Sequence, residues 1–103
     1  MDELAIIATL EVEPGTREAL LPILLRHRER CLDEEPGTIA FEVLVPRTEP
    51  DRIMLYERYT NRAAFDTHWS GTSIAIAKEE AGARLQKITG IFCTPAGARK
   101  AAP

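Results

Sequence analysis

One histidine of this chain has the chemistry and the position expected of a proton-transfer group. His68 lies near the end of a segment that begins at Asn61, a preferred residue for the start of a helix. An imidazole can take or give a proton near neutral pH, so His68 is a candidate general base. The alternative is a structural histidine that interacts with the last carbonyl groups of its helix.

Three further side chains could bind or orient a substrate. Trp69, the only tryptophan, could stack on an aromatic ring and donate its indole N–H, or it could simply pack in the core. Tyr56 and Glu57 are consecutive in a predicted strand, so one of them faces a pocket and the other the opposite side of the sheet. Tyr56 is a candidate catalytic residue that could hydrogen-bond a substrate oxygen. Glu57 could act as an acid or form a structural salt bridge.

Several apolar side chains could form the walls of a pocket for an aromatic molecule. Core packing is their default interpretation, and a pocket wall is a subset of the core. The candidates come from two predicted strands and two predicted helices and are Ile6, Leu24, Phe41 and Phe65.

The spacing of histidine and cysteine gives little support for a metal centre. His27 and Cys31 are one helical turn apart and could form a pair, but the sequence shows no further ligand set. We therefore predict that the protein has no metal site. Cys31 and Cys93 make no disulfide framework, and both are expected to be reduced and buried.

Helical segments are marked by their terminal residues. A first helix is predicted between Thr16, which can cap it, and Pro36, before which it must end. Pro22 should kink this helix or delay its start, because proline has no amide hydrogen. A second helix begins at Asn61, and a short third one is predicted to end at Gly82.

The complete order of elements is β-α-β-β-α-β, which is the ferredoxin-like arrangement of the α+β class. It has a four-stranded antiparallel sheet with the helices on one face. Since the first strand is apolar on both faces, the other face of the sheet needs a cover, which a symmetric dimer would supply. We expect one domain over 1–95 and a flexible tail over 96–103. The predicted strands are 4–12, 38–45, 53–59 and 84–94.

Charge and hydropathy exclude two classes of partner. The net charge is −3, and no basic run is longer than Arg99-Lys100, so a nucleic-acid surface is not expected. The apolar run that follows the acidic start of the chain is too short for a signal peptide or a membrane segment. A cytoplasmic location is the resulting expectation.

Four short segments stand out by their order and spacing: Pro14-Gly15, Glu35-Pro36-Gly37, the strand from Leu55 to Tyr59, and the helix from Ala64 to His68. Together they resemble the antibiotic biosynthesis monooxygenase (ABM) domain family. The resemblance covers roughly residues 4–94. It implies a homodimer of ferredoxin-like subunits whose sheets face each other as a dimeric α+β barrel, with an apolar pocket in each subunit between sheet and helices.

The same resemblance implies a range of activities. The family includes cofactor-free oxygenases of quinol- or anthrone-like aromatics, haem-degrading enzymes and an isomerase of a sugar phosphate. Ser73 and Ile74 occupy the places where the family often has a second histidine and a phenylalanine. Lys78 occupies the place where the haem-degrading branch needs a histidine ligand, so haem and other cofactors are not expected.

These observations predict a cofactor-independent monooxygenase that oxidises a small hydroxylated aromatic or quinol with molecular oxygen. In this interpretation His68 removes a proton, and Tyr56 and Trp69 position the ring and its oxygens. Two alternatives remain open. One is an isomerase of a small oxygenated metabolite on the same fold, which would need converging Arg or Lys side chains in the pocket. The other is a small-molecule binding protein without catalysis.

Overall fold

The computed structural model describes residues 2–97 and has the predicted ferredoxin-like order, with the second helical region divided in two. The tail predicted over 96–103 lies, from residue 98 onward, outside the described residues. The elements are β1 Leu4–Val12, α1 Arg17–Glu34, β2 Thr38–Leu44, β3 Arg52–Tyr59, α2 Arg62–Trp69, α3 Thr72–Ala81 and β4 Leu85–Cys93, with a short 3₁₀ turn at Gly82–Arg84 before β4.

The four strands form one antiparallel sheet in the order β2-β3-β1-β4. Alternate residues of β1, such as Ile6 and Leu10, point to the helical side and pack against Leu20 and Leu24 of α1 in the hydrophobic core. β4 is an edge strand, and most of its residues are exposed. The core therefore lies between the centre of the sheet and α1.

Local sequence signals explain where α2 begins and where α3 ends. The Asn61 side chain accepts a hydrogen bond from the Ala64 amide at 2.8 Å, which satisfies one of the free donors of the first turn of α2. Gly82 ends α3 with a φ of 58°, a conformation that costs glycine little. Thr16 is at the predicted first position of α1, but its hydroxyl donates to the Glu13 carbonyl at 2.6 Å and does not cap the helix.

Pro22 does not delay the start of α1, which is one of the two effects expected of it. The helix begins at Arg17, so Pro22 is its sixth residue. A proline at this place leaves the carbonyl of Glu18, four residues earlier, without its helical donor. Both residues are exposed, so water can satisfy that carbonyl, and the helix continues through the second turn.

The outer face of the sheet, on the side away from the helices, carries apolar residues in register. Ile7 of β1 lies opposite Tyr56 of β3 on one side and Ile91 of β4 on the other. Ile7 is 37% exposed and Ile91 is 65% exposed, and within residues 2–97 no element covers this row. None of the helices within that range is long and apolar enough to span a membrane.

Gly37 allows the chain to pass close to α2. A Cβ at this position would be 2.3 Å from Cβ of Ala64, closer than two carbon atoms can approach. The Gly37 carbonyl accepts a hydrogen bond from the Thr60 amide at 2.9 Å, so the turn cannot easily move away. The Pro36-Gly37 turn therefore needs glycine for lack of space, and not for a left-handed backbone.

Replacement of Gly37 by alanine should destabilise the protein by about 1–3 kcal/mol, the usual cost of overpacking a well-packed site. Gly90→Ala is the matched control, because its new Cβ would meet only Cγ2 of Ile6 at an ordinary 3.6 Å. Urea unfolding of the two variants measures the difference. Equal stability of Gly37→Ala and the wild type would show that the contact with α2 is not a constraint.

Candidate functional site

A cavity of about 370 Å³ lies between the helical face of the sheet and the three helices. This volume is within the range of about 300–1,000 Å³ that is typical of small-molecule sites. Its buried walls are apolar, apart from His27, Glu57 and His68. The apolar wall residues that are buried are Ile6, Ala8, Leu10, Leu20, Ile23, Leu24, Leu55, Ala77 and Ala81.

His68 is held at the cavity by a hydrogen bond to Glu35. The α2 helix places Phe65 and His68 on neighbouring parts of one face, and both line the cavity. His68 is only 2% exposed, and its Nδ1 is 2.8 Å from Oε1 of Glu35. Because an ionised carboxylate can only accept, Nδ1 carries the proton in this pair, and in the neutral form of the ring Nε2 has the lone pair.

The second ring nitrogen of His68, Nε2, lies near Glu57. Nε2 is 3.7 Å from Oε1 of Glu57, and both residues line the cavity. Glu57 is 6% exposed, and the Tyr59 hydroxyl donates to its Oε1 at 2.5 Å. Burial raises the pKa of Glu57, an effect that the Tyr59 hydrogen bond and His68 partly oppose. Burial and the Glu57 carboxylate also raise the pKa of Tyr59, which stays a hydrogen-bond donor.

His27, Cys31 and Ser73 form the polar neighbourhood behind His68. Nδ1 of His27 is 2.9 Å from Oγ of Ser73, and Sγ of Cys31 is 3.6 Å from Nδ1 of His68. Burial, and then the charge of His68, lower the pKa of His27 to about 4. Burial, and then Glu35, raise the pKa of the Cys31 thiol to about 12. At neutral pH both side chains are therefore uncharged.

The exposed rim of the cavity combines aromatic rings with two cations. The ring of Trp69, 48% exposed, stacks on Phe65 with the centroids 6.1 Å apart. Nζ of Lys78 is 4.4 Å from the centre of the Trp69 ring. The Arg62 guanidinium lies over Phe65 and Phe92 and pairs with Asp66 at 3.1 Å. Trp69 thus stands at the rim and does not fill the cavity.

The structure brings together most, but not all, of the residues that the sequence analysis singled out. Phe41 is buried behind the cavity and packs against His27 and His68, with ring centroids 5.3 and 6.1 Å away. Tyr56 is on the outer face of the sheet and does not line this cavity, because its neighbour Glu57 occupies the inward position. The residues that do line it are Ile6, Leu24, Glu57, Phe65, His68 and Trp69.

The sequence predicts no catalytic role for three polar neighbours of His68. Glu35 belongs to the Glu-Pro-Gly turn, Ser73 replaces a histidine of the family, and His27 could form a metal pair with Cys31. The signal that could have found Glu35 is its place directly after the last residue of a predicted helix, at the end that faces the second helix.

Fold and site together define the class of protein, which is a ferredoxin-like α+β domain with a histidine–carboxylate pair in an apolar cavity. Residues 4–80 match the model of the antibiotic biosynthesis monooxygenase (ABM) family. The chain therefore belongs to this family, as its motifs predicted. No curated protein sequence matches the chain.

Solved bacterial structures share the fold at low sequence identity. A candidate antibiotic biosynthesis monooxygenase from Nitrosomonas europaea has a TM-score of 0.85 and 20% identity, over 93% of this chain and 92% of that one. A protein from Pseudomonas aeruginosa has a TM-score of 0.84 and 21% identity, over 94% and 97% of the two chains. A candidate monooxygenase of the same name from Caulobacter crescentus has a TM-score of 0.83 and 18% identity, over 89% and 88%. At these identities the likeness shows the fold alone.

The pH dependence of stability should reveal the buried carboxyl group of Glu57. Its pKa is raised above the ordinary 4.5. The folded protein therefore keeps the proton of Glu57 at pH values at which the unfolded chain has lost it. The contribution to stability is thus present below about pH 4.5 and is lost as the pH rises through the raised pKa. Glu57→Gln cannot ionise and still accepts from Tyr59, so its free energy of unfolding should fall less with rising pH.

Urea unfolding across the acidic to mildly alkaline range measures this difference. Glu42→Gln on β2 is the matched control, since Glu42 is an exposed strand glutamate, and its profile should follow the wild type. Parallel profiles for the wild type and Glu57→Gln would contradict the expectation.

Proposed function

We propose that this protein is a cofactor-independent oxygenase of small hydroxylated aromatic molecules or quinols. The observation that carries the proposal is the orientation of His68. Its Nδ1 is bound to Glu35, which leaves the Nε2 lone pair at the wall of an apolar cavity. A base in this form can accept a proton from a substrate hydroxyl, and the carboxylate stabilises the imidazolium that results.

The proposed reaction needs only the substrate and molecular oxygen. Nε2 of His68 removes the proton of a ring hydroxyl, and the phenolate becomes electron-rich at a carbon that carries hydrogen, ortho or para to the oxygen. Oxygen forms a bond to that carbon and accepts its electrons, which gives a ring peroxide that takes up the proton from His68. The O–O bond then breaks, the carbon loses its hydrogen, and water leaves. One oxygen atom stays on the ring as a quinone carbonyl and the other is released in water.

The shape and polarity of the cavity favour an aromatic substrate. Apart from His27, Glu57 and His68 its buried walls are apolar, and an apolar surrounding strengthens the electrostatic effect of a base that faces the substrate. Phe65 and Trp69 at the rim can stack on a ring. The isomerase alternative would need cations within the cavity, but the two cations that line it, Arg62 and Lys78, are exposed at the rim.

Replacement of His68 should remove most of the activity. A well-placed general base contributes a rate factor of about 10² to 10⁴, so His68→Ala should lower kcat by that amount. Glu35→Gln should lower kcat by a smaller factor, because the base remains but an amide no longer favours the proton on Nδ1. Oxygen uptake with a panel of anthrones and benzene or naphthalene quinols measures both effects.

Glu34→Gln is the control for Glu35→Gln. Glu34 is the preceding residue, of the same type and exposed, so its variant should oxidise the panel at the wild-type rate. Circular dichroism of each variant separates lost activity from lost folding. A wild-type rate in folded His68→Ala would sink the assignment of the base. If the wild-type protein oxidises no member of the panel, the assignment of the substrate class fails.

We also propose that the protein is a homodimer joined through the outer face of the sheet. The cross-strand row formed by Tyr56, Ile7 and Ile91 is apolar, and the described chain leaves it open to water. Removing this surface from water is favourable by about 25 cal/mol per Å² of apolar area. The membership of the ABM family supports association of this kind.

A charge in this row should separate the subunits. Ile91→Asp would place a carboxylate in the proposed interface, so the variant should be monomeric at concentrations where the wild type is a dimer. Light scattering coupled to gel filtration measures the mass. Ile76→Asp is the control, because Ile76 is an isoleucine with similar exposure to Ile7 but lies on α3. A wild-type monomer at micromolar concentration would overturn the proposal.

A further inference from the structure

The structure brings a third potential ligand to the pair formed by His27 and Cys31. His68 comes from α2 and joins the two residues of α1, so that one ligand atom from each of the three lies within 4.8 Å of the others. We propose that His27, Cys31 and His68 form a binding site for a thiophilic divalent cation, with Zn²⁺ as the representative ion.

The distances between the ligand atoms suit such an ion. Sγ of Cys31 is 3.6 Å from Nδ1 of His68 and 3.7 Å from both ring nitrogens of His27. In tetrahedral zinc sites the Zn–S bond is about 2.3 Å and the Zn–N bond about 2.0–2.1 Å, which places sulfur and nitrogen about 3.5 Å apart. A rotation of the His27 ring is needed to direct one nitrogen at the ion.

The backbone holds these side chains in place before any ion is bound. His27 and Cys31 are four residues apart on α1 and therefore lie on the same face of the helix. All three residues are buried, and Ser73 restrains His27 through the contact at 2.9 Å. His27 and His68 also line the cavity, which provides the path by which an ion reaches the cluster.

The charge of the cluster favours a doubly charged cation. Binding would displace the thiol proton to solvent, so that Cys31 coordinates as a thiolate, the form in which cysteine binds metals. Glu35, whose Oε1 is 2.8 Å from Nδ1 of His68, supplies a second negative charge and a possible fourth ligand. One thiolate and one carboxylate balance a divalent ion. A set of sulfur and imidazole ligands selects zinc-like metals over Mg²⁺ or Ca²⁺.

Occupancy of this site would change the state of His68. A metal bound to Nδ1 requires the proton of the neutral ring to move to Nε2, the nitrogen at the cavity. If the proposed oxygenase function is correct, the bound metal therefore removes the base and inhibits the enzyme. The metal site itself does not depend on that function, since binding is measured without any substrate.

The test is a titration of the full-length protein, first freed of metal with a chelator, with Co²⁺ as a spectroscopic probe and Zn²⁺ as a competitor. The wild type should bind one ion per chain and show the charge-transfer absorption of a cobalt–thiolate bond together with the intense visible bands of tetrahedral cobalt. Zn²⁺ should abolish both. Cys31→Ser should lose the thiolate band and bind at least about 100-fold more weakly, because even residues behind metal ligands contribute 10–100-fold.

Cys93→Ser is the matched control, since Cys93 lies at the end of β4 and outside the cluster. It should keep the affinity and the spectrum of the wild type. Loss of the signal in Cys93→Ser, or its retention in Cys31→Ser, would overturn the proposal. Absence of a cobalt–thiolate band in the wild type would also overturn it, and this result needs no variant to fold.

Discussion

The hydrogen bond between Nδ1 of His68 and Oε1 of Glu35 joins the two halves of the helical layer. Glu35 directly follows α1 as its C-cap, and its amide donates to the Cys31 carbonyl, so its position is fixed by the helix. His68 is in the last turn of α2. One contact therefore sets the distance between α1 and α2, the tautomer of the histidine and the nitrogen that it presents to the cavity.

This contact belongs to a buried polar network that must be satisfied throughout. Tyr59 donates to Glu57, His27 meets Ser73, and His68 is bound to Glu35. In a region of low dielectric constant, each of these polar groups would destabilise the folded protein if it lost its hydrogen-bond partner. Because the network joins side chains of all three helices, it limits the ways in which α1, α2 and α3 can pack together.

The sequence predicted the architecture well because the signals are local. The turn at Pro36-Gly37, the cap at Asn61 and the stop at Gly82 each act within a few residues, and the structure has all three. The effect of Pro22 on the start of α1 is harder to predict, because it depends on whether water can reach the carbonyl that the proline leaves free. That exposure is a property of the folded protein.

The site was less predictable because its contacts are long-range. Glu35 and His68 are 33 residues apart, and Cys31 and His68 are 37 apart. Tyr56 and Glu57 point to opposite faces of the sheet because they are consecutive in a strand. The alternation does not show which of the two faces the helices. Burial of a carboxylate is unusual, so nothing in the sequence indicates that Glu57 takes the inward place. The helices packed above β3 decide that Glu57 is inside.

Small side chains on β1, β4 and α3 leave space for the cavity. Ala8 of β1 lies directly opposite Gly90 of β4, and both line the cavity together with Ala77 and Ala81 of α3. At these four positions the protein carries almost no side-chain volume. Related proteins could therefore enlarge, shorten or close the chamber by exchanging alanine or glycine for valine or leucine, while His68 and Glu35 stay in place. In such a family the size of the cavity can change separately from the histidine–carboxylate pair.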